Sequence, residues 1–239
     1  MVNLNERLLT IANMIEKGET VADIGTDHGY LPIHLLLEEI SPHVILTDIS
    51  KGSLSKAREN CNEYLIKNNF TLREGDGLET IEEGEVDVVV LAGIGGLLTI
   101  DILDWDLEKS HSFKKLILQP RNNGGQLRKY LSENEFLVQS YRIVPEGNRF
   151  AEIMNVVPGK AIQSKDLSLA EWEFPDEILS DANPDAKDFL ERALSQEEII
   201  LNKILEGHQG NESSHAGEDI EYRKERIARI NYLLQRYKL

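Results

Sequence analysis

The stretch VADIGTDHGYLP, residues 21–32, determines how this chain folds and where it binds a ligand. Its apolar start closes a predicted β-strand, and residues 30–39 predict a helix. Between strand and helix, acidic residues and glycines alternate at every second position: Asp23, Gly25, Asp27 and Gly29. A tight turn of this kind needs backbone angles that glycine adopts readily. It also leaves backbone N–H groups and the positive end of the helix facing a bound molecule.

The turn favours a ligand that carries positive charge. A helix start with free N–H groups ordinarily suits phosphate, but here the carboxylate of Asp27 lies within the turn. An added acid would repel a pyrophosphate and attract a cation. S-adenosylmethionine, with its sulfonium and ammonium groups, is such a ligand. The alternative is a tight turn that caps a helix and binds nothing.

Two further predicted strands end in acids. Residues 43–49 predict a strand ending at Asp48, about 23 residues beyond Gly25, where an acid in a dinucleotide-type fold accepts hydrogen bonds from ribose hydroxyls. A third strand, residues 70–73, is followed by Asp76 and Gly77, which are placed to meet an adenine amino group. A ligand that crosses the edge of an open α/β sheet requires such turns at successive strand ends. Ordinary helix-capping turns are the alternative.

The order of the predicted elements indicates an α/β fold with a mostly parallel sheet. A helix over residues 3–17 comes first, and alternation then predicts strands 19–25, 43–48, 70–73, 86–92 and 114–119 and helices 30–40, 51–68, 95–104 and 123–134. Strands over 136–144 and 149–157 flank a Pro-Glu-Gly-Asn turn, which predicts an antiparallel hairpin at the sheet edge. A seven-stranded sheet with one reversed strand resembles that of class I (Rossmann-like) methyltransferases.

A change of composition near residue 160 predicts two domains. We assign residues 1–160 to the S-adenosylmethionine-binding domain and residues 161–239 to a C-terminal helical domain. Helices over 185–206 and 219–237 carry apolar residues at three-to-four spacing, and the segment GHQGNESSHAG joins them. These features predict an antiparallel, coiled-coil-like hairpin. Such a pair would be marginal alone, so it would dock on the first domain or on a partner.

The composition predicts a cytoplasmic protein; a monomer is the expected oligomeric state, although the sequence does not determine it. No apolar run approaches the roughly 18 residues of a membrane span, and a signal-peptide pattern is missing at the N-terminus. The single cysteine, Cys61, excludes an internal disulfide and favours a reducing compartment. We predict no metal site, because no His/Cys cluster has metal-ligand spacing.

The net charge of −16 argues against a nucleic-acid partner, but the charges are unevenly distributed. Residues 111–160 hold 8 Lys and Arg against 4 Asp and Glu, a balance of +4, so the rest of the chain carries −20. Residues 223–238 hold six basic side chains against one acid. Local basic faces are compatible with salt-dependent phosphate contacts. A solvated helix face is the alternative interpretation.

The sequence at the end of the fourth predicted strand, residues 86–92, indicates which kind of nitrogen atom would be methylated. Methyltransferases that modify exocyclic amines carry Asn or Asp, two prolines and an aromatic residue here, whereas this chain has Ala-Gly-Ile-Gly-Gly at 92–96. A ring nitrogen with a lone pair needs alignment more than a base, and its methylation creates positive charge that a carboxylate would stabilise. Asp27 is the candidate carboxylate, with a helix cap or a partner of the cofactor ammonium as alternatives. His28 and Tyr30 would stack on or hydrogen-bond a flipped base, or Tyr30 would simply pack.

Several segments together resemble the bacterial tRNA (adenine-22-N1)-methyltransferase family, TrmK: VADIGTDHGYLP, TDISKGSLSKARENC, REGDGLE, VDVVVLAGIGGLL and LILQPRNNGGQLRKYL. The similarity covers the first 160 residues, and the helical tail matches the family's coiled-coil-like C-terminal domain. The resemblance implies S-adenosylmethionine as methyl donor and N1 of adenine 22, in the D-arm of tRNA, as acceptor. Two rivals remain open: a small-molecule methyltransferase of the same fold, and a non-catalytic cofactor-binding scaffold.

The resemblance also implies which residues bind each ligand. The implied cofactor site comprises Asp23, Gly25, Asp27, Gly29, Asp48, Ile49, Asp76, Gly77 and Gly93. The implied base pocket comprises Arg7, His28, Tyr30 and Gln119, although Arg7 would equally be a solvated helix residue. The chain departs from the family at Ile94, where methionine is usual, and at Phe150, where tyrosine is commoner. Both changes conserve shape and bear on details of the pocket.

Overall fold

The computed structural model describes residues 2–66, 68–160, 166–207 and 214–237. They fall into two compact units, Met1–Gln163 and Ser164–Leu239. The predicted domain boundary at 160/161 adjoins residues 161–165, which lie outside the described ranges. Each unit is considered separately below.

A seven-stranded sheet forms the first unit, with strand order β3-β2-β1-β4-β5-β7-β6. Its strands are β1 Val21–Ile24, β2 Val44–Asp48, β3 Phe70–Glu74, β4 Val88–Ile94, β5 Lys115–Pro120, β6 Phe136–Glu146 and β7 Arg149–Pro158. The pairings among β1 to β5 are parallel, whereas β7 runs antiparallel to both β5 and β6. The predicted mostly parallel sheet with one reversed strand is confirmed, as is the edge hairpin.

Helices of the first unit cover the sheet: α1 Glu6–Asn13, α2 Tyr30–Leu37, α3 Lys51–Glu63, α4 Gly96–Asp104, α5 Leu107–Ser112 and α6 Gly124–Glu133. Both central strands are mostly apolar: β1, which includes Asp23, is buried along its whole length, and β4 is buried over its first four residues. This burial on both faces is what a parallel strand covered by helices requires. The strands therefore hold the turns at their carboxyl ends in fixed positions.

Side-chain hydrogen bonds explain where several boundaries differ from the predicted ones. The helix predicted over 3–17 begins at Glu6, because Asn5 caps it by accepting a hydrogen bond from the Leu8 amide. The strand predicted over 86–92 starts at Val88, because the Asp87 carboxylate instead binds the amide and hydroxyl of Thr20. Helix α5 was not predicted from periodicity. Its N-cap is Asp106, which accepts from the Lys109 amide.

The second unit contains helix α7 Leu169–Glu173, a 3-10 turn Asp176–Leu179, and two long helices, α8 Ala186–Gly207 and α9 Ser214–Tyr237. Helix α9 begins at Ser214, five residues before the predicted 219, and residues 208–213 of the joining segment lie outside the described ranges. Arg223 and Arg226 pair with Glu197. Glu197 in α8 and the two arginines in α9 are separated from the joining segment by similar numbers of residues. The two helices therefore run in opposite directions and form the predicted antiparallel hairpin.

The seam between α8 and α9 contains charge as well as apolar side chains. Leu190, Ile230 and Leu233 are fully buried, whereas Tyr237, which was predicted in the seam, is 43% exposed. Glu197 is buried at 5% exposure and is neutralised by its two arginine partners. No helix in the described parts of the chain is long and apolar enough to cross a membrane.

Candidate active site

A cavity of about 430 Å³ opens at the carboxyl ends of β1 and β4. Its size suits a small ligand or cofactor. Seven of the residues singled out in the sequence line it: Arg7, Asp23, Gly25, Asp27, His28, Tyr30 and Gly93. The lining also includes residues that the sequence interpretation did not select: Asn5, Leu8, Thr26, Leu31, Ala92, Ile94 and Arg121.

The turn after β1 adopts left-handed backbone angles at every second residue. Gly25, Asp27 and Gly29 have φ of +74°, +49° and +71°. Only glycine fits at position 29, because a Cβ there would lie 3.1 Å from Leu46 and 3.2 Å from Ala57. Asp27, by contrast, holds an angle that is costly for a residue with a side chain, and such strain is concentrated at functional sites. The turn is therefore built to present the Asp27 carboxylate.

Asp23 lies at the buried base of the cavity. Its Oδ2 accepts a 2.7 Å hydrogen bond from the Thr26 hydroxyl. Burial raises the pKa of Asp23 to about 6, against the lowering effect of the Thr26 hydrogen bond and of the positive charge on Arg7. Because burial makes this carboxylate costly to ionise, a cationic ligand beside it would stabilise its charged form.

Asp48 connects the ends of β2 and β1 and does not line the cavity. Its Oδ2 accepts a 3.3 Å hydrogen bond from the Asp27 amide, and its Oδ1 accepts one of 2.8 Å from the Ser50 amide. Its carbonyl accepts from the Gly75 amide at 3.2 Å, which ties the end of β3 to the same edge. Asp48 thus joins three of the predicted strand-end turns.

The remaining predicted cofactor residues lie outside the cavity lining. Ile49 follows β2 and is 71% exposed, and Asp76 is exposed beyond β3. Gly77 is buried with φ +49°, and a Cβ there would lie 3.0 Å from Ile102. Gly29 packs behind the turn rather than facing the cavity. Their role in binding the cofactor stays a prediction.

Arg7 is fixed in place by two partners. Its Nε donates to Glu146 Oε1 at 2.6 Å, and its Nη1 donates to Gln119 Oε1 at 3.0 Å. Gln119 is 3% exposed, and its Nε2 donates to the Pro120 carbonyl at 3.1 Å. Gln119 therefore lies behind Arg7 and does not line the cavity. It holds Arg7 and is not free to contact a base in this arrangement.

His28 and Tyr30 form one side of the cavity mouth. His28 Nε2 lies 3.5 Å from Asp27 Oδ2, and the rings of His28 and Tyr30 are 5.7 Å apart. Asn60 Nδ2 donates to the His28 carbonyl at 2.8 Å, which fixes the backbone there. Tyr30 is 41% exposed. Its open ring face is available for stacking.

Arg121 and Ile94 form the opposite wall, which the sequence interpretation only partly identified. The Arg121 amide donates to the Ile94 carbonyl at 2.9 Å. Ile94 lines the cavity at the position where methionine was expected. Phe150 lies in β7, where its register partner is Pro145, and is outside the lining. The segment QPRNN after β5 was the available signal for Arg121.

Most of the basic residues that suggested phosphate-binding faces are paired with acids. In the first unit the ion pairs are Lys114–Asp87, Lys115–Glu19, Arg128–Glu152, Lys129–Glu133 and Lys160–Glu135. In the tail they are Arg223–Glu197, Lys224–Glu221, Arg226–Glu173, Arg229–Asp176 and Arg236–Asp176. A count of charges along the sequence therefore overstates how much positive charge is available.

Among the described residues, no group of three or more His, Cys, Asp or Glu side chains could hold a metal ion.

Known proteins with related sequences include tRNA methyltransferases, and solved structures of tRNA methyltransferases share the fold of this chain. A tRNA (adenine(22)-N(1))-methyltransferase of Bacillus subtilis (strain 168) is 32% identical over 153 residues, 64% of this chain and 64% of that protein. The chain thus matches less than two thirds of that relative's length. The structure of B. subtilis TrmK, an M1A22 tRNA methyltransferase, has a TM-score of 0.84 at 25% identity, covering 98% of this chain and 100% of the other. Streptococcus pneumoniae Sp1610 in complex with S-adenosyl-L-methionine has a TM-score of 0.82 at 26% identity, covering 97% and 100%.

The methyltransferase domain family matches residues 4–154. This range is more than half of the chain and contains every residue that lines the cavity. It also contains the whole of β1 to β6 and the strained turn that presents Asp27. The chain therefore belongs to the methyltransferase domain family.

Proposed function

We propose that this protein transfers a methyl group from S-adenosylmethionine to N1 of adenine 22 in the D-arm of tRNA. The observation that carries the proposal is the acid-rich cavity at the ends of β1 and β4, in a chain that shares its fold over 97–98% of its length with B. subtilis TrmK and Sp1610. The activity of these relatives supports the proposal, because the region that matches the methyltransferase domain family includes the whole cavity.

The cavity fits a cofactor that carries positive charge. Asp23 and Asp27 both line it, and the raised pKa of Asp23 to about 6 means that a nearby cation would be favourable. We assign Asp23 and Asp27, with the Gly25 and Gly93 backbones, to the cofactor, and Asp48, Ile49, Asp76, Gly77 and Gly29 to the edge that supports it. When bound, S-adenosylmethionine supplies an electrophilic methyl group.

The residues of the chain would act mainly by alignment. The lone pair of adenine N1 can attack the methyl group directly, as the carbon–sulfur bond breaks towards sulfur, so no proton has to leave first. The methylated base carries positive charge, which the exposed Asp27 carboxylate would stabilise. His28 and Tyr30 would hold the base by stacking, and Arg7, fixed by Gln119 and Glu146, would bound the pocket on the α1 side.

Basic side chains that contact the tRNA phosphates would come from the rim of the cavity more than from the helical tail. Five of the six basic residues in 223–238 are already engaged with acids, so their phosphate binding would cost existing ion pairs. We propose that the helical domain, residues 161–239, is a second region that recognises the shape of the tRNA. A monomer in the cytoplasm, where tRNA is available, completes the proposal.

The test is methylation of an unmodified tRNA transcript with labelled S-adenosylmethionine, followed by mapping of the modified base. We expect label at N1 of adenine 22 and none on a transcript in which this adenine is replaced by guanine. A small-molecule methyltransferase would bind the cofactor but leave both transcripts unlabelled. A cofactor-binding scaffold would bind S-adenosylmethionine with no turnover on any tRNA.

A further inference from the structure

Arg121 is a cavity-lining cation with no acidic partner. It is exposed, and among the described residues it forms no ion pair and donates no side-chain hydrogen bond. The basic residues Lys114, Lys115 and Arg128, which are close to it in the sequence, are by contrast paired with acids. A free guanidinium at a cavity rim indicates that its partner is a ligand.

The two arginines of the cavity differ in exposure and in partners. Arg7 has a side chain that is 17% exposed, and its guanidinium is occupied by Glu146 and Gln119. It closes a wall and has little capacity left for an anion. Arg121 faces the same cavity with its guanidinium unoccupied by described residues. Among the two, Arg121 alone is available to bind.

The ligand that Arg121 binds should be an anion rather than the reacting end of the cofactor. A guanidinium close to a sulfonium would repel it, whereas it would pair with a phosphate through two parallel hydrogen bonds. A nucleotide whose base enters the cavity carries its phosphates at the rim, where an exposed arginine can reach them. The acids of the cavity would therefore bind the positively charged cofactor, and Arg121 would bind a negatively charged phosphate.

The backbone around Arg121 is held rigidly. The Arg121 amide is bonded to the Ile94 carbonyl at 2.9 Å, and the Gly96 amide to the Asn122 carbonyl at 3.1 Å. The guanidinium lies across Gly93, since a Cβ there would be 3.6 Å from Arg121 Nε and 3.8 Å from Nη2. An alanine Cβ at position 93 would therefore make ordinary van der Waals contact with it. The loop therefore sets where the guanidinium can reach, and only the side chain adapts.

We propose that Arg121 is a positioning residue that binds a phosphate next to the target adenosine and so holds the flipped base in the cavity. This inference rests on the proposed function. It adds a residue with a specific partner, and it separates the anion-binding side chain of Arg121 from the cation-binding turn around Asp27.

The test compares full-length wild type, Arg121→Ala, Arg121→Lys and the matched control Arg58→Ala. Arg58 is an exposed arginine of α3 outside the cavity lining, so its loss removes the same charge elsewhere. For Arg121→Ala we expect KM for tRNA to rise about tenfold or more, corresponding to one lost charge-assisted contact. The salt dependence of tRNA binding should weaken by about one unit of slope. Arg121→Lys should restore part of the affinity, and Arg58→Ala should resemble wild type.

Each result decides the question. An unchanged KM and salt slope in Arg121→Ala, with an active wild type, would overturn the role of Arg121 and leave the proposed function intact. Weaker binding of S-adenosylmethionine with normal tRNA binding would also overturn it, because Arg121 would then hold the cofactor carboxylate. A wild type that neither binds nor methylates tRNA would overturn both. Equal melting temperatures of the four proteins exclude unfolding as the cause.

Discussion

The backbone amide of Asp27 donates a hydrogen bond of 3.3 Å to the carboxylate of Asp48, which lies at the end of the neighbouring strand. One acid thus holds the backbone that presents another. Asp48 also binds the Ser50 amide ahead of α3. The geometry of the β1–α2 turn therefore depends on a residue that does not line the cavity.

Replacing Asp48 should weaken cofactor binding without unfolding the protein. Asp48→Ala removes the acceptor for the Asp27 amide, and we expect S-adenosylmethionine to bind tenfold or more weakly by calorimetry, roughly the value of one to two hydrogen bonds to a charged group. Asp48→Asn keeps an acceptor oxygen and should lose less. An exposed acid of α9, Asp219→Ala, is the control. Unchanged affinity in Asp48→Ala would count against this role.

Replacing Asp27 by glycine should make the protein more stable and less active. Asp27→Gly relieves a left-handed angle of +49°, so we expect the free energy of unfolding to rise by up to about 1 kcal/mol. Methyl transfer should fall by at least tenfold, because the charge beside the product is lost. Asp27→Asn, which tolerates the same angle, separates charge from strain. A fully active Asp27→Gly would exclude Asp27 from the chemistry.

Asp23 should make the protein less stable as pH rises from about 4 to 6. Its pKa is about 6 in the folded protein against 3.8 as the reference, so the folded state retains a proton that the unfolded chain has already lost. The free energy of unfolding then falls by up to about 3 kcal/mol across this window. Asp23→Asn should remove that fall in denaturant titrations at pH 4, 5, 6 and 7.5. A wild-type curve parallel to that of Asp23→Asn would contradict the prediction.

Gly96 and Gly217 should respond oppositely to alanine. A Cβ at Gly96 would lie 2.6 Å and 2.7 Å from the carbonyl oxygens of Asn122 and Asn123, which are backbone atoms that cannot move aside. We expect Gly96→Ala to cost about 1–3 kcal/mol. Gly217, in α9, has nothing within 4 Å, so Gly217→Ala should stabilise by up to about 1 kcal/mol. Thermal unfolding of the two variants measures both effects.

The arginines of the tail should matter for stability more than for tRNA affinity. Arg223 pairs at 2.7 Å with Glu197, whose side chain is 6% exposed and which Arg226 also pairs, so Arg223→Ala should cost about 1.5–3 kcal/mol by removing one of two charged partners. Lys224 forms an exposed pair with Glu221, and Lys224→Ala should cost less than about 0.5 kcal/mol. Loss of tRNA affinity in Arg223→Ala at unchanged stability would instead assign Arg223 to the tRNA.

Periodicity and turn chemistry were sufficient to predict the sheet, because strand-end glycines and acids and the Pro-Glu-Gly-Asn turn act locally. Contacts between distant residues were not predictable in the same way. The positions of Gln119 behind Arg7 and of Asp48 behind Asp27 depend on separations of 112 and 21 residues. Arg121 was overlooked because its significance is the lack of an acidic partner, which only a folded structure reveals. The ion pairs that engage five basic residues of the tail likewise appear only in the folded structure.

The buried ammonium of Lys115 donates to the carbonyl of Met14 at the C-cap of α1, at 2.9 Å, and pairs with Glu19 at 2.8 Å. With Arg7 fastened near the other end of the same helix, α1 is clamped along its length and cannot swing outward as a lid. Entry of a ligand and release of a product would then proceed without a movement of α1, past a rim that includes the exposed Tyr30 and Arg121.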